Sequence, residues 1–78
     1  MKKNYSIIKL NKIKPLHQFV VLTIPDEIRF ELIRLGISEG DNLVCVAKIP
    51  FGPVVIQKDL QEIAIGAKFA SLIEVSQE

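Results

Sequence analysis

A helical pattern that halts on a glycine and passes at once into a strand constrains this chain more than any other feature. It occupies residues 30–46, F-E-L-I-R-L-G-I-S-E-G-D-N-L-V-C-V. Gly36 falls where the residue just past a helix needs positive φ, which glycine adopts without a Cβ penalty. Gly40 then precedes an alternating run, with Leu43, Cys45 and Ala47 on one predicted face and Val44 and Val46 on the other. One helix is thereby set against the mouth of a small sheet, because the segments on either side read as strands.

Residues 6–10 form a predicted strand with Ile8 and Leu10 on one face. Residues 11–15 read as a loop, since Pro15 removes a donor and restricts Lys14. The run Q-F-V-V-L-T-I over 18–24 is β-branched and aromatic, as a buried strand requires. Thr23 and Asp26 fit a capping pattern for the helix that follows, and Pro25 is tolerated in a first turn. Ile28, Leu32 and Leu35 recur at helical spacing and are expected to face the core. Asp26 and Glu27 suit the positive end of the helix dipole, and Arg34 the negative end.

A strand over 41–49 is then broken by Pro50-Phe51-Gly52-Pro53. Further strands are predicted over 54–57, 63–65 and 72–75, with a turn at Asp59 and a short helical turn between Gly66 and Ser71. Together these describe a mostly β chain. The expected architecture is a small, partly open barrel of about five to six strands, with one inserted α-helix and a helical turn before the last strand.

At 78 residues the chain is one domain, 1–78, near the lower limit for an independent core. Its hydrophobic fraction of 49% supports folding without disulfides or a structural metal, and leaves apolar surface for a partner. The single cysteine, Cys45, excludes an internal disulfide framework and fits a reducing compartment. A formal charge of +1 is no argument for nucleic acid. Lys2, Lys3, Lys9, Lys12 and Lys14 nevertheless all precede the first acidic residue, Asp26. The plain reading of that basic segment is a solvated strand edge; the sharper one is an approach to acidic partners or an anionic membrane face. Ile7-Ile8 is too short for a signal-peptide core, and no apolar run approaches the roughly 20 residues of a membrane helix. A cytoplasmic, soluble protein is expected.

Catalytic chemistry finds no support in the residue pattern. A nucleophile needs an oriented base, and the one histidine, His17, stands in no motif. There is no glycine-rich phosphate loop. Metal sites need three or four convergent ligands, whereas His17 is isolated and Cys45 lies between Val44 and Val46, as an inert buried thiol would. Asp26-Glu27 is accounted for by the helix terminus. No cofactor is implied, and weak transition-metal binding stays unassigned to any residue. Single-stranded nucleic acid requires a basic groove with exposed aromatics. Phe19 and Phe69 sit in apolar strings suited to a core, so nucleic acid is not an expected partner.

The motif residues, taken in order, resemble the ferrous iron transport protein A family, FeoA. Leu32, Leu35, Gly36, Ile37 and Gly40, followed by Leu43 and Cys45, match its helix–turn–strand pattern. Pro50, Gly52 and Pro53 match its P-x-G-x-P loop, and Ala64, Ile65, Gly66, Ala70, Ile73 and Val75 its C-terminal pattern. The sequence departs from that family at Glu31, where arginine is frequent, and at Leu60, where the hairpin usually has glycine. It departs also at His17 and Gln18, which follow Leu16 where a Pro-Gly turn is common. The resemblance implies an SH3-like barrel, a fold shared with the C-terminal domain of iron-dependent repressors. It implies a non-enzymatic accessory of bacterial ferrous iron uptake, docking on a membrane ferrous transporter that carries a cytoplasmic GTP-binding domain. The rival readings are a metal-binding or metal-sensing module and a transcription-linked domain.

Protein binding directs attention to exposed apolar side chains. Phe30 and Ile33 lie off the stripe defined by Ile28, Leu32 and Leu35, which suits either a wider core face or an interface. Phe51 lies in a turn between two prolines, where an aromatic is expected to be exposed. These three are the expected partner-binding residues. Self-association along an open sheet edge is also compatible with so apolar a chain.

Overall fold

In the computed structural model, which describes residues 5–77, the chain folds as one six-stranded antiparallel sheet with a single longer helix. Lys2 and Lys3 of the basic segment lie outside the described residues. The elements are β1 (Ser6–Lys9), a 3₁₀ turn (Leu10–Lys12), β2 (Gln18–Thr23), α1 (Asp26–Arg34), β3 (Asn42–Lys48), β4 (Val54–Lys58), β5 (Gln61–Ile65), α2 (Ala67–Ala70) and β6 (Glu74–Gln77). The strand order is β1-β6-β2-β3-β4-β5, so β1 and β5 are open edges and the barrel is not closed. The SH3-like, mostly β expectation holds, and all six strands are present.

One face of the sheet carries the core. Phe19, Val21, Leu43, Cys45, Val54, Ile56, Ile65 and Val75 are all buried, as period-two patterning requires. Ile28 and Leu32 of α1 add to the same cluster, as do Ile13, Ile24 and Ile73 from the connections. No polar or charged residue among those described is buried.

α1 ends as its glycine demands. The Ile37 N–H donates to the Leu32 carbonyl at 2.9 Å and the Gly36 N–H to the Ile33 carbonyl at 2.9 Å, with Gly36 at φ +90°. This is the Schellman arrangement, in which the residue after the glycine packs back against the last turn. Ile37 is accordingly buried, and Leu35, expected in the core, is 41% exposed. Helical spacing alone could not separate the two, because the chain leaves the helix at Leu35 and folds Ile37 into the place that a further turn would have filled.

Other local expectations need correction. Thr23 does not cap α1: Pro25 occupies the cap position without a side-chain hydrogen bond, and Thr23 is exposed. Instead the Ile24 N–H donates to Glu39 Oε2 at 2.8 Å, and Arg29 donates to the Ile24 carbonyl at 2.9 Å while pairing with Glu39 at 3.3 Å. Residues 11–15 are not all loop, since the 3₁₀ turn extends to Lys12. The last strand begins at Glu74, not Leu72, and β5 begins at Gln61, not Ile63.

The largest correction concerns β3. Cys45 pairs with Ile56 but Ala47 pairs with Val55, so Val46 is an extra residue in a β-bulge. The bulge shifts the phase of the strand. Ala47, expected on the buried face, is exposed, and Lys48 comes to lie opposite the buried Val54. Directly paired residues share a face. The Lys48 side chain is therefore turned inward, and its ammonium donates to the Asn11 carbonyl at 3.0 Å.

Candidate functional site

The helix displays what it does not bury. With Ile28 and Leu32 facing the sheet, Phe30 and Ile33 point to solvent, 71% and 53% exposed. Three residues apart, they are surface neighbours on one side of α1. Of the two readings open for them, the exposed one is what the fold adopts.

Phe51 is placed by backbone geometry. The Gly52 N–H donates to the Ile49 carbonyl at 2.8 Å, and the Ile49 N–H to the Pro53 carbonyl at 3.1 Å. Pro50 occupies the second position of this turn and Phe51 the third, at φ +59°. That is the pattern of a type II turn, whose third position prefers glycine. A bulky aromatic there carries strain of about 1–2 kcal/mol. Glycine follows instead at position 52, where a Cβ would meet Ile49 Cγ2 at 3.0 Å. The result is a fully exposed phenylalanine at the tip of the β3–β4 connection, on a different element from Phe30 and Ile33.

Two further exposed apolar tips escaped the sequence reading. Leu16 sits at φ +70° after Pro15, where the His17 N–H donates to the Lys14 carbonyl at 3.2 Å. Leu60 is fully exposed beside Asp59, which takes φ +55° in the two-residue turn between Lys58 and Gln61. The Asp59 turn is as expected. The Pro15-Leu16 turn had a signal in Pro15 and in the departure noted at His17 and Gln18, where a Pro-Gly turn is common.

Two shallow clefts flank the tips. One, of about 410 Å³, is lined by Tyr5, Leu16, His17 and Gln18 among others. The other, of about 290 Å³, lies at the β3–β4 tip, with Lys12, Lys48, Ile49, Phe51 and Ala67 in its wall. Neither brings together an acid, a base and a nucleophile. Among the described residues no group of three or more His, Cys, Asp or Glu converges. Cys45 is buried, which pushes its thiol pKa up and suits an inert role.

The perturbed carboxylates are occupied in holding the fold. Glu39 is kept below its ordinary pKa by the Ile24 N–H and then by the Arg29 guanidinium. Burial alone would raise Asp41; the Ser38 N–H and the Lys58 ammonium, 3.0 Å away, outweigh it and hold the carboxyl below its usual value. Lys58 also donates to the Gly36 carbonyl, which ties the end of β4 to the end of α1.

No curated protein matches the chain significantly. Among solved structures it is similar to an iron uptake regulatory protein, FeoA, with 23% identity, TM-score 0.84, and coverage of 94% of this chain and 99% of that one. An FeoA-like protein from Clostridium acetobutylicum gives 21% identity and TM-score 0.76 over 88% of this chain and 84% of that one. A manganese-dependent transcriptional repressor gives 20% identity and TM-score 0.84 over 97% of this chain but only 44% of the repressor. At these identities the likenesses establish the fold. The FeoA domain itself matches over residues 8–77, nearly the whole length, and the chain belongs to the FeoA domain family.

Proposed function

We propose that this protein is a non-enzymatic accessory of ferrous iron uptake that docks on the cytoplasmic part of a GTP-dependent membrane ferrous transporter and modulates it. Membership of the FeoA family implies a role in ferrous iron transport. The observation that carries the docking reading is the outward face of α1. Phe30 and Ile33 are exposed although the same helix buries Ile28 and Leu32. Aromatic anchors of this kind dominate interface energetics. The helix is fixed by Glu39 and Arg29 at its start and by the Gly36 turn at its end. It therefore presents the pair on a rigid element, which lowers the entropy cost of binding.

The test is capture of the protein by the transporter's soluble GTP-binding domain. Wild-type chain is expected to bind, and Ile33→Asp to weaken binding by about tenfold or more, as loss of an interface anchor does. Absence of wild-type binding, or indifference to Ile33→Asp and Phe30→Ser together, would overturn the reading. Equilibrium dialysis against ferrous ion tests the metal-binding rival. Tight stoichiometric uptake lost in His17→Ala would favour that rival.

A further inference from the structure

The β3–β4 tip differs from the α1 face in shape and in charge. Ile49 and Phe51 project at the end of a hairpin, with Phe51 fully exposed, whereas Phe30 and Ile33 lie along the side of a helix. Two side chains at a tip cover little area: an aromatic contributes about 150–250 Å², against the roughly 800 Å² per partner of a standard protein interface. The charge around the tip has one sign. Lys12 and Lys48 line its cleft and no acidic side chain does. Lys14 and Lys68 are exposed and adjoin this set in sequence, Lys14 two residues from Lys12 and Lys68 next to Ala67. The bulge at Val46 brings Lys48 into the wall of this cleft, where its ammonium donates to the Asn11 carbonyl, so Lys12, Lys14 and Lys68 are the ammonium groups exposed on this side.

A projecting aromatic among lysines has the chemistry of a wedge for an anionic bilayer surface. The ring enters the headgroup boundary while the ammonium groups stay at the level of the lipid phosphates. We infer that the β3–β4 tip, Ile49 to Gly52 with the exposed Lys12 beside it, is a membrane-contacting surface selective for anionic lipid. This goes beyond docking on a transporter and does not rest on it, since the surface engages lipid with no protein present.

The molecule supplies its own control. Leu60, at the other end of β4, is equally exposed but follows Asp59 and lies two residues before Glu62, both exposed. An anionic surface repels that tip.

The experiment is sedimentation of full-length protein with vesicles of phosphatidylcholine alone or with 40 mole per cent phosphatidylglycerol (about 0.1 M salt, a Debye length of roughly 10 Å). Binding is expected only with phosphatidylglycerol and is expected to fall steeply at about 1 M salt. Lys12→Ala is expected to weaken it about fivefold, and Phe51→Gly about tenfold. Leu60→Ser is expected to leave it unchanged. Phe51→Gly keeps the turn, because glycine suits φ +59°, so its melting curve separates lost contact from lost fold. Four results would overturn the inference: no sedimentation with either vesicle, equal binding to both, wild-type binding by Phe51→Gly, or equal losses in Phe51→Gly and Leu60→Ser. If Phe51→Gly binds vesicles normally yet is no longer captured by the transporter's GTP-binding domain, the tip is a protein contact and the lipid assignment fails.

Discussion

The two ends of β4 expose bulky apolar side chains in different ways. At the Val54 end the third residue of the turn, Phe51, is both the exposed side chain and the one held at positive φ. At the Lys58 end those properties are divided: Asp59 takes the positive φ, which aspartate tolerates, and Leu60 carries the exposure without being in that conformation. The surroundings differ as well. Lysines line the Phe51 cleft, while Leu60 follows Asp59 and lies two residues before Glu62. The one lysine at that end, Lys58, is engaged by Asp41 and the Gly36 carbonyl. Exposure alone therefore does not identify a docking residue. Exposure that comes with backbone strain and a single sign of charge is the more informative combination.

The comparison breaks most visibly at Gly52. A Cβ there would lie 3.2 Å from Ile49 Cβ as well as 3.0 Å from its Cγ2, and Ile49 is held at the turn by two backbone hydrogen bonds. Gly52→Ala is expected to destabilise the protein by about 1–3 kcal/mol, as overpacking does, measured by urea unfolding. The equivalent flank of the other tip already carries a side chain, Gln61, and Gln61→Ala is expected to stay within about 0.5 kcal/mol.

A smaller effect sharpens the contrast in strain. Phe51→Gly relieves roughly 1–2 kcal/mol of left-handed strain and adds about 0.5–1 kcal/mol of unfolded-state entropy, for a net gain of zero to about 1.5 kcal/mol. Asp59→Gly has less strain to relieve and is expected to lose a few tenths of a kcal/mol instead. Thermal melts of the two variants should therefore shift in opposite directions.

The pH dependence concerns Asp41, paired with Lys58, and Glu39 at the start of α1, and spares the Phe51 tip. Asp41 and Glu39 have folded pKa values below their ordinary ones. Their contribution is fully present above the unfolded values of about 4, and is lost as pH falls through the folded values. Stability should decline on acidification below about pH 4, and Asp41→Asn should flatten that decline. Phe51→Gly should leave the profile's shape unchanged, because no carboxylate lines its cleft.

Much of this could be read from the residues. Gly36, Gly40 and the Pro50–Pro53 segment announce their turns, because each backbone geometry demands glycine or proline at a set position. Alternation identified Leu43 and Cys45 as core. What sequence could not reveal depends on contacts distant along the chain. Glu39 caps the Ile24 N–H from fifteen residues away, leaving Thr23 without the role its spacing suggested. The extra residue at Val46 is visible only against β4, yet it decides that Ala47 faces out and Lys48 faces in. Leu35 and Ile37 exchange places because the Gly36 turn ends the helix before its period runs on. For the candidate site, the exposure of Phe51 followed from its turn, whereas that of Phe30 and Ile33 required knowing how wide a face α1 buries. The lysine surroundings of Phe51 emerged only from the fold.

The chain contains no tryptophan, so one introduced at a tip reports from that tip alone. The most direct measurement is the fluorescence of Phe51→Trp and Leu60→Trp during titration with vesicles containing phosphatidylglycerol. A lipid-contacting β3–β4 tip requires the emission of Phe51→Trp to shift to the blue and that of Leu60→Trp to stay constant. Equal shifts in both, or none in either, would contradict it.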